Sequence, residues 1–166
     1  IVVLKILLIE NNDIDAFIIQ RALRSRAVGE ECLRVCTLED GARIMAAWAL
    51  EIDIVLVELG LPSTPGSLAA FMEIKKRAAG RIPIILITNP QGSCRARFLV
   101  RDGVDDYLSK DIIINNPVHI RNTLDFAVER RRLYRKLSSE REDALATLTQ
   151  KDIILNCFMG GYSISN

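Results

Sequence analysis

The sequence predicts an α/β fold, a doubly wound sheet of five parallel strands that leads into one long helix. Three observations predict it. Short apolar runs alternate five times with segments of helical period, the order of strand–helix–strand units with right-handed crossovers. The runs at residues 6–9, 54–57 and 84–87 are continuously apolar, as strands become when helices cover both faces of a sheet. From His119 to about Leu155 the chain has no Pro or Gly and is rich in Arg, Leu, Glu and Ala.

The first strand covers about residues 4–9 and ends on Glu10-Asn11. A helix over about 14–25 follows, its inner face marked by Ala16, Ile19, Ala22 and Leu23. The second strand, about 32–36, carries the weakest signal. Thr37 is placed to N-cap the second helix, with Asp40 three residues on as an imperfect capping box, and that helix runs through Leu50. The third strand, 54–57, ends on Glu58 and passes through Pro62-Ser63-Thr64-Pro65-Gly66 into a helix over about 67–79. Pro83 opens the fourth strand, which ends on Thr88. A helix over about 93–102, Gly103 and a fifth strand over 104–108 come next, ending on Ser109-Lys110. The last helix begins near Pro117. In a parallel sheet the four polar endings converge on one edge, the edge where open α/β folds bind ligands.

Bulk composition excludes several classes. The 166 residues suit one domain with an appendage; 49% are hydrophobic, 26% charged, and the net charge is +1. That balance gives no global electrostatic case for nucleic acid. No apolar run reaches the roughly 18–20 residues of a membrane span. Residues 1–9 lack the basic flank and cleavage site of a signal peptide, so they read as a strand; the absence of an initial Met fits a trimmed chain. Cys32, Cys36, Cys94 and Cys157 show no C-x-x-C spacing and no nearby His, which suits reduced structural thiols in the cytoplasm. There is no G-x-G-x-x-G and no P-loop. His119 is the only histidine and stands in no nucleophile elbow, so no enzyme is expected and no residue is assigned as catalytic. Arg130-Arg131-Arg132 with Arg135-Lys136 reads as a solvated helix face, given Glu129, Glu140 and Glu142 among them. Trp48 is expected to pack helix against sheet.

At about 1.5 Å per residue the last helix reaches roughly 50 Å, more than a small domain needs to cover itself. Tyr134, Leu137, Arg141, Ala144, Leu148, Lys151 and Leu155 follow a three–four spacing, and the two charged members make this a moderate coiled-coil signal. A domain over 1–128, a dimerising helical extension over 129–156 and a tail or domain entrance over 157–166 are expected. Met159-Gly160-Gly161-Tyr162-Ser163 is expected to break the helix.

Four segments now carry a resemblance: Ile6-Leu7-Leu8-Ile9-Glu10-Asn11-Asn12, residues 53–62 from Asp53 through Glu58-Leu59-Gly60-Leu61-Pro62, Pro83 to Thr88, and Gly103 to Lys110. In order and spacing they resemble the receiver domain of bacterial two-component response regulators, over about residues 4–128. The resemblance implies a flavodoxin-like sheet in the order 2-1-3-4-5. It also implies a site in which an acidic pair and a strand-end Asp bind Mg²⁺ and the Asp takes a phosphoryl group. Thr88 and Tyr107 match the switch positions, Lys110 the phosphate contact, and Glu10 the first acid. Glu10, Asn11, Glu58 and Gly60 stand at the metal positions.

Two positions depart from that pattern. Asn11 replaces the second acid, and Glu58 replaces the phosphoacceptor Asp. The amide removes a charge from a cation that prefers hard charged oxygens. The longer Glu shifts its oxygens by roughly 1.5 Å, and a misplacement of about 1 Å costs a reaction on the order of 10²-fold. A weak or lost Mg²⁺ site, no other cofactor, and signalling that does not depend on phosphorylation are expected. The Glu58 carboxylate is expected to reach towards Lys110 and Thr88, filling part of a phosphoryl group's space. Two alternatives are a phosphorelay receiver still phosphorylated on Glu58 and an inert dimerisation scaffold. The partners implied are a second copy through the last helix and an output domain or signalling protein. Asp111 stands where many receivers have a cis Pro, so a trans bond is expected there.

Overall fold

The computed structural model describes residues 3–24, 30–61, 64–92 and 103–164. Its order is β1 (Leu4–Ile9), α1 (Asp13–Leu23), β2 (Glu30–Val35), α2 (Leu38–Trp48), a 3-10 turn (Ala49–Glu51), β3 (Ile54–Glu58), α3 (Ser67–Ala78), β4 (Ile84–Thr88), a second 3-10 turn (Pro90–Gly92), β5 (Asp106–Ser109), α4 (Lys110–Asn115) and α5 (Pro117–Ile164). The five strands pair in parallel in the order β2-β1-β3-β4-β5. This is the flavodoxin-like sheet the sequence predicts.

Period-two alternation sends successive strand residues to opposite faces. Ile6, Leu8, Ile54, Leu56, Ile85 and Ile87 pack on one side beneath Ala16, Ile19, Ala22 and Leu23 of α1, Ile113 of α4 and Ile120 and Leu124 of α5. Leu7, Ile9, Val55, Val57, Ile84 and Leu86 face the other side, against Met45 of α2 and Ile74 of α3. Both faces are covered, and that is why β3 and β4 carry no polar residue until their last position, while β1 admits only Lys5, near its start. Gly41 lets α2 approach the sheet, because a Cβ there would collide with Ile9 Cδ1.

Carboxylates also fix the opposite edge of the sheet. Asp53 Oδ2 accepts from Lys5 N–H and Asp105 Oδ2 from Ile84 N–H, both at 2.8 Å. Each satisfies a backbone donor where a strand begins.

Most boundaries follow the sequence, with instructive differences. Thr37 caps α2 through Asp40 N–H at 3.1 Å, while the Asp40 carboxylate pairs with Arg43 at 2.8 Å. α1 begins a residue earlier than expected because Asn12 Oδ1 accepts from Ile14 and Asp15 N–H. The short helix α4 was not expected, since Ile112-Ile113-Ile114 is β-branched and reads poorly as helix. No peptide bond is cis among the described residues, so Lys110–Asp111 is trans. Trp48 is 56% exposed rather than packed against the sheet. The expected helix at 93–102, Pro62-Ser63, Ser25 and Cys94 lie outside the described residues. Cys32 is half-buried with Gln20 Nε2 4.0 Å from its sulfur, and Cys36 and Cys157 are exposed thiols.

The chain divides into two compact units, Ile1–Arg131 and Arg132–Asn166. The second consists of the later part of α5, which continues through Gly160-Gly161 to Ile164 instead of breaking at Met159. Glycine costs about 1 kcal/mol in a helix interior relative to Ala, a penalty that weakens a helix without ending it. No described helix is long and apolar enough to cross a membrane.

Candidate functional site

Strand register brings the first two acids together. Ile9 pairs with Val57, so Glu10 and Glu58 come next on adjacent parallel strands, whose axes lie about 4.8 Å apart. Both are buried, Glu10 completely and Glu58 to 6% exposure. Two carboxylates this close in a dry site repel each other unless a cation or a proton intervenes.

The cation is Lys110, the first residue of α4. Its Nζ lies 2.7 Å from Glu58 Oε2, 2.6 Å from Asp15 Oδ2 and 3.5 Å from Glu10 Oε2. The inner oxygens are held by backbone donors. Glu10 Oε1 accepts from Asn12 N–H and Glu58 Oε1 from Gly60 N–H, each at 2.9 Å. A Cβ on Gly60 would come within 2.9 Å of Glu58 Oε1, so a larger residue there would push that carboxylate from its present position. The outer oxygens, Glu10 Oε2 and Glu58 Oε2, are buried without an aligned hydrogen bond. Lys110 therefore serves Glu58 as an ion partner off the hydrogen-bond direction, and gives its directed bond to Asp15.

Proton affinities follow the geometry. Burial pushes Glu10 above the usual carboxylate range and the neighbouring Glu58 adds to it, while Asn12 N–H and the Lys110 charge pull the other way. Burial disfavours the Lys110 charge, but its hydrogen bond to Asp15 and its ion pair with Glu58 outweigh that cost and raise the ammonium well above an ordinary lysine.

Other predicted positions stand apart from this knot. Thr88 is buried at the end of β4 and donates its hydroxyl to Asn89 C=O at 2.9 Å. Tyr107 is half-buried against the core on the α2–α3 side. Asn11 is exposed, next to the capping Asn12. Asp15 belongs to the knot, although sequence reasoning did not single it out. The available signal was the capping geometry: with Asn12 as N-cap, Asp15 falls in the first turn of α1, at the same sheet edge as Glu10. Ser109 Oγ is bonded to Asp111 Oδ1, which ties the start of α4 to the end of β5. Arg131 pairs with Asp105 at 2.6 Å and Arg130 with Asp106 at 3.4 Å, so two members of the basic cluster already have acidic partners. His119 is exposed.

A divalent cation would need the outer oxygens of Glu10 and Glu58, a further charged donor and room for waters. Here both outer oxygens face an ammonium, and the neighbouring position supplies an amide. Among the described residues no group of three His, Cys, Asp or Glu side chains is arranged to hold a metal. This donor set does not fit a tightly bound Mg²⁺.

Comparison with known proteins gives a consistent result. The sequence matches the family model of the response regulator receiver domain over residues 6–124. Among curated proteins no relative matches. Among solved structures, the fold is similar to a response regulator receiver domain protein from Clostridium thermocellum, at 23% identity and TM-score 0.66, covering 79% of this chain and 98% of that one. It is also similar to the signal receiver domain of a putative Luxo repressor protein from Vibrio parahaemolyticus, at 18% identity and TM-score 0.64, covering 82% and 98%. The phosphorylated cyanobacterial phytochrome response regulator RcpA matches at 24% identity and TM-score 0.59, covering 76% and 95%.

Proposed function

This chain belongs to the response regulator receiver family, and on that premise we propose that it is a non-catalytic receiver that signals without being phosphorylated. The observation that carries this reading is the 2.7 Å approach of Lys110 Nζ to Glu58 Oε2. In phosphoryl transfer a lysine and a metal neutralise the incoming negative charge. Here the lysine charge is already engaged by Glu58, Asp15 and Glu10. Accepting a phosphoryl group on Glu58 would require breaking that knot, and Asn11 removes a charge from the metal position. Glu58 thus stands for the lysine-bound half of a phosphoryl group. The Thr88 half is not engaged, because its hydroxyl serves Asn89. The pocket is fixed in one state, with a permanent intramolecular anion in place of a transient one.

On this reading regulation reaches a partner or an output domain through a helix that dimerises in its later part, in the cytoplasm, with neither nucleic acid nor Mg²⁺ required. A calorimetric Mg²⁺ titration tests the pocket. The wild type is expected to give no saturable binding at millimolar Mg²⁺, whereas Asn11→Asp combined with Glu58→Asp is expected to gain it. Saturable binding by the wild type would reject the reading.

A further inference from the structure

One series of exposed apolar residues in the second unit repeats every eleven residues. Leu133, Leu137, Ala144, Leu148, Leu155 and Met159 are spaced four, seven, four, seven and four apart, and all are exposed. Both eleven-residue series, Leu133-Ala144-Leu155 and Leu137-Leu148-Met159, lack a charge. The seven-residue frame must instead admit Arg141 and Lys151 to its core. Eleven residues over three turns is about 3.67 per turn, and such a stripe winds slightly to the right along the helix where a heptad stripe winds to the left.

We infer that this stripe binds a second copy of the same helix, parallel and in register, as a straight to slightly right-handed pair. The inference rests on the dimerising-helix reading above and specifies its geometry. A partner helix keeps contact along the stripe only if its own stripe drifts at the same rate, a condition a second copy meets by construction. Charge complementarity points the same way. Glu140 flanks one side of the stripe and Arg141 the other; eleven residues on, Lys151 and Asp152 hold the same places with the signs reversed. In a parallel two-fold pair, opposite flanks meet. Glu140 then faces Arg141 of the second copy, and Lys151 faces its Asp152. A slip by one repeat would put Glu140 against Asp152 and Lys151 against Arg141, so the reversal fixes the register. One step further back the second series continues to Phe126, while the first meets Asn122.

Single-cysteine additions to the full chain test this, with the wild type as baseline for its own thiols. Under mild oxidation Leu133→Cys is expected to form an intermolecular disulfide with its own counterpart, and Tyr134→Cys is not. In sedimentation, Lys151→Glu is expected to weaken the dimer roughly tenfold through two symmetry-related repulsions, and Lys151→Glu with Asp152→Lys to restore it. Cross-linking through Tyr134→Cys instead of Leu133→Cys would overturn the eleven-residue geometry while leaving the dimer intact. Cross-linking only between Leu133→Cys and Met159→Cys chains, when mixed, would overturn the parallel orientation. A wild type that stays monomeric at all concentrations would remove both this inference and the dimerising helix.

Discussion

Glu10, Glu58, Asp15 and Lys110 form a four-residue knot in which one ammonium serves three carboxylates. Removing the lysine leaves buried charges facing one another, and breaking such a pair costs about 3–5 kcal/mol. Lys110→Met is therefore expected to lower the unfolding free energy by roughly 3 kcal/mol, the low end because a shared proton can relieve the carboxylates. Urea denaturation checks this, and a loss near zero would show that the knot contributes nothing. Glu10 also gives the fold a pH dependence of definite sign. Its folded-state proton affinity lies above the ordinary value of 4.5. Between that value and the raised one, the folded chain holds a proton the unfolded chain has lost, so stability falls as pH rises through the window. Glu10→Gln removes this slope. The stability of the variant relative to wild type should rise from acid towards neutral pH and then level off. A difference that is flat with pH would contradict the assignment. The adjacency of Glu10 and Glu58 was legible in the sequence once their strands were taken as parallel neighbours, because both end their apolar runs. Asp15 was not, since its role depends on Asn12 starting α1 early enough to turn that carboxylate towards Lys110.

At the scale of elements, continuous apolar runs specified β1, β3 and β4 well, because strands covered on both faces leave no room for alternation. The fifth strand, with Asp105 and Asp106 inside its expected span, is shorter in the structure, starting at Asp106. Asp105 instead bonds Ile84 N–H and Arg131, work that only the three-dimensional pairing reveals. The short helix α4 was hidden by its isoleucines, yet it holds Lys110 at the pocket and buries Ile113. Helix ends are marked by simple chemistry: Gly80, just beyond α3, sits at φ +72°, where an L side chain is disfavoured. Gly80→Ala is expected to cost about 1 kcal/mol, since nothing lies within 4 Å of the added Cβ and the effect is one of backbone strain alone. Thermal unfolding would show it, and an unchanged midpoint would mean that the turn relaxes freely.

For the molecule as a whole, the receiver fold and its sheet order follow from the pattern of runs and turns, while the state of its pocket follows from two substitutions read against that fold. Asn11 and Glu58 mattered in sequence because one replaces an expected acid by an amide and the other an expected Asp by a longer acid; in three dimensions Glu58 matters because Lys110 has closed upon it. On the proposed reading, a fixed anion makes the output independent of a phosphodonor, and signalling is then set by what the molecule assembles with. Glu58→Ala in the full-length protein is expected to shift its output, and a scaffold with an inert pocket would be indifferent to that change. The most direct measurement is intact-mass spectrometry of the wild type after incubation with acetyl phosphate and Mg²⁺. The expected result is an unchanged mass; a stoichiometric gain of one phosphoryl group, mapped to Glu58, would contradict it.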